Sequence, residues 1–140
     1  MPIVEVSKVL QAPLEKAFQW CTDYSDSDAL IAKHIRSRRV IRREGNVVYL
    51  EDEQLDPKIP KRRTKVTLHP PDRWVAEFGG GAWQGTGTYF LTREVAGTRL
   101  SMRFDMKRIQ GDYTPEKLRA RVNDIWERYG VALESEVGAP

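Results

Sequence analysis

Few side chains in this chain could carry out acid–base or nucleophilic chemistry. The histidines are His34 and His69, and Cys21 is the one cysteine. His34 follows a short helical segment and could act as a general base, since an unperturbed imidazole titrates near about pH 6.5. No partner carboxylate can be placed beside it, so a surface histidine is the favoured interpretation. His69 precedes two prolines and is predicted in a loop, and Cys21 is predicted to be buried rather than nucleophilic.

Metal and nucleotide sites are not supported by the residue spacing. Two histidines and one cysteine are too few for a His-rich or Cys-rich metal site. The segments Gly79-Gly80-Gly81 and Gly85-x-Gly87 do not fit a P-loop, because no Lys-Ser/Thr follows and both lie among predicted strands. We therefore predict no metal and no cofactor, and we assign no catalytic residue.

The charges are numerous but nearly balanced. Lys and Arg total 23 against 20 acids, for a net charge of +3. The clustered cations are Arg36, Arg38, Arg39, Arg42 and Arg43, followed by Lys61, Arg62, Arg63 and Lys65. The acids between these clusters are Glu51, Asp52, Glu53 and Asp56. A nucleic-acid surface needs a basic stripe that survives such neutralisation, so we do not expect nucleic-acid binding. Contact of Lys61, Arg62 and Arg63 with an anionic membrane surface or another anionic partner stays open.

Length and hydrophobicity bound the class of protein. The chain has 140 residues, 40% of them apolar, which suits one domain with a sizeable core. The longest apolar runs have four residues, as in Ala29 to Ala32, which excludes a membrane-spanning helix and a secretory signal. A single cysteine favours a reduced, cytoplasmic setting. We expect residues 1–140 to form a single domain, as a monomer or a homodimer.

The first third of the chain predicts a strand and two short helices. Residues Ile3 to Leu10 alternate as a strand does. Pro13 suits a helix start, and the apolar residues of that helix are Leu14, Ala17, Phe18 and Cys21. Ser25 and Ser27 are candidate N-caps of a second short helix carrying Ala29, Leu30 and Ile31.

From Ile35 onward the hydrophobic period changes to two and predicts an antiparallel meander. The six predicted strands are Ile35–Arg43, Asn46–Gln54, Arg62–His69, Arg73–Gly79, Trp83–Arg93 and Thr98–Arg108. Short separators rich in Gly and Pro make every neighbouring pair close enough for a hairpin.

Turn chemistry predicts the register of three of these hairpins. A three-residue loop at Pro70–Asp72 pairs Leu68 with Trp74 and Lys65 with Glu77. A two-residue turn at Gly80-Gly81 pairs Phe78 with Trp83. Another at Ala96-Gly97 pairs Tyr89 with Phe104 and Gly87 with Met106. All three place the large apolar residues on one face of the sheet, which supports the meander.

The first hairpin carries the arginine cluster. With Gly45-Asn46 as its turn, Arg39 faces Asp52, and Ile41 shares their side with Leu50. We assign that side to the inner face, where Arg39 and Asp52 would orient a polar group of a ligand. The alternative is a solvated ion pair at the rim of the sheet, which is the commoner case.

The chain ends in its clearest helix. Thr114 is a good N-cap, Pro115 a good first residue, and the helix is predicted to run to Val137. Its apolar residues, spaced by three or four, are Leu118, Val122, Ile125, Trp126, Tyr129 and Leu133. A helix of this length must cross the whole domain, and the concave face of the sheet is the apolar surface available to it.

This element order resembles the START-like, Bet v 1-like superfamily. Residues Val4 to Pro13 with Asp23-Tyr24 are similar to its opening strand and first helix. The stretch from Trp83 to Leu91, followed by Gly97-Thr98-Arg99-Leu100, is similar to its penultimate hairpin. The branch it most resembles contains polyketide cyclase/dehydrase and lipid-transport proteins. The resemblance implies an α+β helix-grip fold, in which a curved antiparallel sheet of about seven strands wraps around the C-terminal helix, with two short helices after strand 1.

The resemblance also implies a ligand cavity between sheet and helix. Besides Arg39 and Asp52, the expected ligand-binding residues are Trp74, Phe78, Trp83, Gly87, Tyr89, Met102, Phe104, Met106, Val122, Ile125, Trp126 and Tyr129. Small residues such as Ala76, Gly85 and Gly87 opposite large ones would leave room for a ligand in a cavity of roughly 300–1,000 Å³. Without the resemblance, a filled core is the simpler interpretation.

Two functions follow from this hypothesis. The first is a carrier or sensor for a hydrophobic small molecule such as a lipid, quinone or aromatic polyketide. The alternative is a polyketide cyclase/dehydrase-type enzyme that acts on a carbonyl-containing aromatic or polyketide substrate. It would use Tyr89, Arg39, Asp52 or His34 to polarise the carbonyl and move protons.

Overall fold

The computed structural model describes residues 2–25, 28–33 and 35–137. The elements within these residues follow the predicted order. They are β1 (Ile3–Leu10), α1 (Leu14–Cys21), α2 (Asp28–Ala32), β2 (Ile35–Glu44), β3 (Val47–Gln54), β4 (Arg62–His69), β5 (Arg73–Gly80), β6 (Trp83–Glu94), β7 (Gly97–Ile109) and α3 (Pro115–Val137). The expectations for Ser27 and His34 fall outside the described residues. His69 is the exposed last residue of β4 rather than a loop residue.

The seven strands form one antiparallel sheet in the order β1-β7-β6-β5-β4-β3-β2. The strands from β2 to β7 make the predicted meander, and β1 pairs with β7 at the far edge. The sheet curves around α3, whose Leu118, Val122 and Leu133 are buried. The predicted helix-grip fold, with two short helices after the first strand, is therefore confirmed.

The hairpin of β4 and β5 has the predicted register. Leu68 lies opposite Trp74, and Lys65 lies opposite Glu77. The Lys65 ammonium and the Glu77 carboxylate are 4.0 Å apart on the outer face. A three-residue loop at Pro70–Asp72 therefore sets this pair of strands as expected.

The registers predicted for the next two hairpins are wrong by two residues. The turns are Gly81-Ala82 and Val95-Ala96, one residue away from the predicted positions. As a result Phe78 lies opposite Gly85 rather than Trp83, and Tyr89 lies opposite Met102 rather than Phe104. An even displacement leaves every side chain on its original face, so the apolar inner face is the predicted one.

The register predicted for β2 and β3 is correct near the turn and wrong beyond a β-bulge. Arg42 faces Tyr49 as predicted, but the next pair is Val40 with Leu50, so Ile41 has no partner. An extra residue in one strand displaces all later pairs by one and moves side chains to the other face. Ile41 is consequently half exposed rather than turned to the inner face.

Helix α3 begins and ends where the sequence predicts. The Lys117 N–H donates to the Thr114 hydroxyl oxygen over 3.2 Å, which is the N-cap bond expected of that threonine. Arg128 of α3 donates to the carbonyl oxygens of Ile31 and Ala32, which fixes the end of α2 against α3. No helix in the described part of the chain is long and apolar enough to cross a membrane.

Candidate functional site

A cavity of about 240 Å³ lies between the inner face of the sheet and α3. Its volume is somewhat below the range expected from the sequence. Ten of the predicted ligand-binding residues line it. They are Asp52, Trp74, Phe78, Trp83, Tyr89, Phe104, Val122, Ile125, Trp126 and Tyr129. The strand period of two and the helix period of three to four bring these residues to one space.

Stacked aromatic rings form the sheet side of the cavity. Trp74 and Tyr89 are direct cross-strand partners, and their rings stack with centroids 5.0 Å apart and an angle of 8°. The ring of Phe104 meets Tyr89 edge-on at 5.7 Å. Phe78 packs against Trp83 at 4.9 Å. Such contacts fix each ring, so the wall is a preformed apolar surface.

The opposite wall comes from the helices. Trp126 and Tyr129 of α3 pack edge-on at 5.0 Å, and Trp20 of α1 meets Tyr129 at 5.6 Å. Trp20 and Tyr24 also line the cavity. Neither was identified from the sequence, because Trp20 is not among the regularly spaced apolar residues of the first helix and Tyr24 follows that helix. All four tryptophans of the chain therefore border this cavity.

Three predicted residues lie beneath this wall rather than on it. Met102 and Met106 are buried in the core and do not line the cavity. Gly87 supports two rings, because a Cβ there would lie 2.9 Å from Phe78 Cε2 and 3.1 Å from Phe104 Cδ1. The space above Gly87 is thus occupied by these phenyl rings rather than left for a ligand.

The polar centre of the cavity is an arginine held by two carboxylates. Arg38 Nε and Nη2 donate to Asp52 Oδ1 and Oδ2, both over 2.9 Å. Arg38 Nη1 donates to Asp28 Oδ2 over 3.1 Å. Burial alone would lower the pKa of Arg38, but its hydrogen bonds and the charge of Asp52 raise it above the ordinary value. Burial raises the pKa of Asp28 despite the charge of Arg38.

The predicted pairing of Arg39 with Asp52 is wrong. The bulge at Ile41 places Arg38 opposite Asp52 and Arg39 opposite Glu51. Arg39 is 71% exposed, pairs with Glu51 over 3.2 Å and does not line the cavity. No residue type in this strand indicates a β-bulge. Strict alternation of side chains along the strand therefore predicts Arg39, rather than Arg38, as the partner of Asp52.

Arg62 also lines the cavity, as does Arg121 of α3, and neither was identified from the sequence. Its neighbours Lys61 and Arg63 point outward to Glu51, at 3.8 and 3.4 Å. Arg62 lies on the same face as Thr64 and Val66 and lines the cavity. Its Nη2 donates to the Trp83 carbonyl oxygen over 3.0 Å. Arg62 has the same strand parity as Leu68, which the predicted pairing with Trp74 places on the inner face, and this was the signal that could have identified it.

Tyrosine hydroxyls and the Cys21 thiol also line the cavity, and Cys21 is half-buried rather than fully buried as predicted. Burial raises the pKa of Tyr89 and of Tyr24 above the ordinary value, and raises that of Tyr129 to about 12. Burial likewise raises the pKa of the Cys21 thiol. These groups therefore keep their protons at neutral pH, which makes them poor bases and nucleophiles.

The outer basic surface is neutralised by acidic neighbours. Besides the contacts to Glu51, Arg36 approaches Glu53 at 3.7 Å and Arg42 approaches Glu44 at 3.0 Å. Exposed pairs of this kind contribute little energy, but they cancel the field of a basic stripe.

Comparison with solved structures establishes the fold. Protein TTHA0849 from Thermus thermophilus has a TM-score of 0.73 and 17% identity, over 94% of this chain and 99% of that one. Ara h 8.0201 has a TM-score of 0.71 and 15% identity, over 96% and 98%. The START-like, Bet v 1-like fold implied by the sequence resemblance is confirmed.

A third similar structure belongs to a protein of a biosynthetic pathway. The di-domain ARO/CYC StfQ from the steffimycin biosynthetic pathway has a TM-score of 0.76 and 14% identity. The match covers 98% of this chain and 52% of that one, so this chain spans about half the length of StfQ. No family model and no curated protein matches this chain.

Proposed function

We propose that this chain binds a hydrophobic small molecule, such as a lipid, quinone or aromatic polyketide, in the cavity between the sheet and α3. The observation that carries the proposal is a preformed hollow with aromatic walls and a few convergent polar groups, which is the usual composition of a ligand site. Trp74, Tyr89 and Trp126 supply flat apolar surface on its two sides. A carrier or sensor needs only such a binding surface and no catalytic group.

Cavity volume limits the size of the ligand. An apolar cavity of about 150 Å³ holds benzene, so about 240 Å³ suits a two-ring aromatic body or a short acyl chain. A larger lipid would require the wall to move, and its tail would extend past the cavity mouth. We take the occupant to be the two-ring class.

The alternative is a cyclase or dehydrase that acts on a carbonyl-containing aromatic or polyketide substrate. It is supported by the likeness to StfQ and by donors in the cavity that could polarise a carbonyl, namely Tyr89 and Arg62. The raised pKa of Tyr89 favours a protonated hydroxyl, which can donate a hydrogen bond but is a poor base. A site with hydrogen-bond donors but a poor base favours ligand binding over catalysis.

The setting of this role is also part of the proposal. Residues 1–140 would act as one helix-grip domain in the reducing cytoplasm, where Cys21 would stay a thiol.

Titration of tryptophan fluorescence tests the proposal. Because all four tryptophans border the cavity, a bound aromatic ketone such as 2-acetylnaphthalene should quench most of the emission with one-to-one saturation. Quenching that rises without saturation, as for a collision with surface rings, would contradict it. Mass spectrometry of the incubated mixture separates the alternative: an unchanged polyketide-like ketone supports binding, and its dehydration or cyclisation supports the enzyme.

A further inference from the structure

Three arginines line the cavity, and two of them, Arg38 and Arg62, have very different neighbouring charges. Arg38 is held by Asp52 and Asp28, so this group of three carries no excess positive charge. Arg62 also lies directly opposite Asp52 in the pairing of β3 with β4. Yet no carboxylate of the described residues lies within 4.0 Å of its guanidinium. Both carboxylate oxygens of Asp52 accept hydrogen bonds from Arg38 instead.

The Arg62 guanidinium is held in a fixed place beside the cavity. Its carbon lies 4.9 Å from the ring centroids of both Phe78 and Trp83. Gly81 makes room for it, because a Cβ there would lie 2.5 Å from Arg62 Nη2. Of its five N–H donors, the bond to the Trp83 carbonyl oxygen uses one. The remaining donors are preorganised for a further acceptor.

The charge on Arg62 persists at neutral pH. Burial lowers the pKa of Arg62 to about 10 although the nearby charge of Asp52 opposes this shift, and Arg62 stays protonated. The positive charge of Arg121, another lining residue, acts in the same direction. A partly buried cation without a paired carboxylate is costly, and an anion brought beside it would offset that cost.

We propose that the ligand is an acid: a two-ring apolar body bearing a carboxylate that Arg62 binds in the cavity. This inference rests on the proposed function and adds the charge of its ligand. Arg38 does not compete for the carboxylate, since Asp28 and Asp52 occupy all three of its side-chain nitrogens and repel a further anion. The planar fork of an arginine matches a carboxylate with two hydrogen bonds.

A matched pair of probes tests this inference. Naphthalene-2-carboxylate and 2-acetylnaphthalene have nearly the same shape and differ in charge. In the unsubstituted protein at pH 7, we expect the carboxylate to bind about 10- to 100-fold more tightly, the effect of a charge-assisted hydrogen bond. The Arg62→Gln variant should lose this preference, so that the ratio of the two affinities falls close to one. The control Arg63→Gln removes the same charge from the outer face and should keep the preference.

The outcomes separate this inference from the function on which it rests. If neither probe binds the unsubstituted protein, the proposed function fails. If both bind the unsubstituted protein equally, binding stands and the acid inference is overturned. If Arg62→Gln does not fold, Arg121→Gln provides the second variant, which should reduce the preference several-fold by removing the neighbouring positive charge. A preference unchanged in every folded variant at Arg62 or Arg121 would also overturn the assignment.

Discussion

Arg38 and Asp52 are joined by two parallel hydrogen bonds of 2.9 Å inside the cavity, from Nε to Oδ1 and from Nη2 to Oδ2. The pair exists because the bulge at Ile41 turns Arg38 inward in place of Arg39. It links the edge strand β2 to β3, and the bond from Arg38 to Asp28 extends the link to α2. The Arg38 guanidinium therefore lines the cavity and also connects β2, β3 and α2.

Asp52, which is buried, should contribute far more to the stability of the fold than Arg39, which is exposed. We expect Asp52→Asn to lower the free energy of unfolding by about 3–5 kcal/mol, because it leaves Arg38 without its main counter-charge. Urea denaturation measures this loss. As the control, Arg39→Gln should change the value by less than about 0.5 kcal/mol, since its pair with Glu51 is solvated. Equal effects of the two substitutions would contradict the register.

The stability contributed by Asp28 should depend on pH. Burial raises its pKa above the ordinary 3.8, so the folded protein holds this proton to higher pH than the unfolded chain does. The contribution is complete below the unfolded pKa and is lost as the pH rises through the folded pKa. The free energy of unfolding of the natural protein minus that of Asp28→Asn should therefore fall over a pH interval that begins near the ordinary pKa of 3.8 and extends upward. A difference that rises over this interval would mean that Arg38 outweighs burial.

Filling the cavity should abolish ligand binding without unfolding the protein. Ala76 lines the cavity and is buried, so Ala76→Leu would place three extra carbons in the space that a ligand needs. We expect at least about a 10-fold loss of affinity for 2-acetylnaphthalene, with a stability cost of no more than about 3 kcal/mol. Val75→Leu adds a carbon to the outer face of the same strand and should leave affinity unchanged. Comparable affinities for the two variants would argue against binding in this space.

A methyl group at Gly81 should disturb the acid preference through Arg62. Gly81→Ala brings a Cβ against Arg62 Nη2 and also strains a backbone with φ of +67°. Gly45→Ala has similar strain, with φ of +57°, but its Cβ would meet nothing within 4 Å. Both variants should lose similar stability in thermal unfolding, while Gly81→Ala alone should reduce the preference for naphthalene-2-carboxylate. Equal preferences in the two variants would show that the position of Arg62 does not matter.

Element order and face assignment could be predicted from the sequence because they depend on local patterns. The span of α3 follows from Thr114, Pro115 and the spacing of its apolar residues, and all are local signals. The residues of the inner face were predicted correctly although two registers were wrong, because each of these registers was displaced by an even number of residues. Such errors change which rings stack but not which rings face the cavity.

The polar centre could not be predicted in the same way. A bulge at Ile41 displaces the pairing by one residue, and this exchanges Arg38 for Arg39. Asp52 lies between two cross-strand arginines, Arg38 and Arg62, and its carboxylate forms hydrogen bonds with Arg38. Which arginine it binds depends on the tertiary structure. Charge patterns in a strand do not determine such choices.

A crystal structure of the protein with 2-acetylnaphthalene tests the central claim most directly. We predict electron density for the two-ring body inside the sheet, between the Trp74–Tyr89 stack and Trp126 of α3. Density for the compound on the outer surface alone, with the interior closed by repacked side chains, would contradict the account.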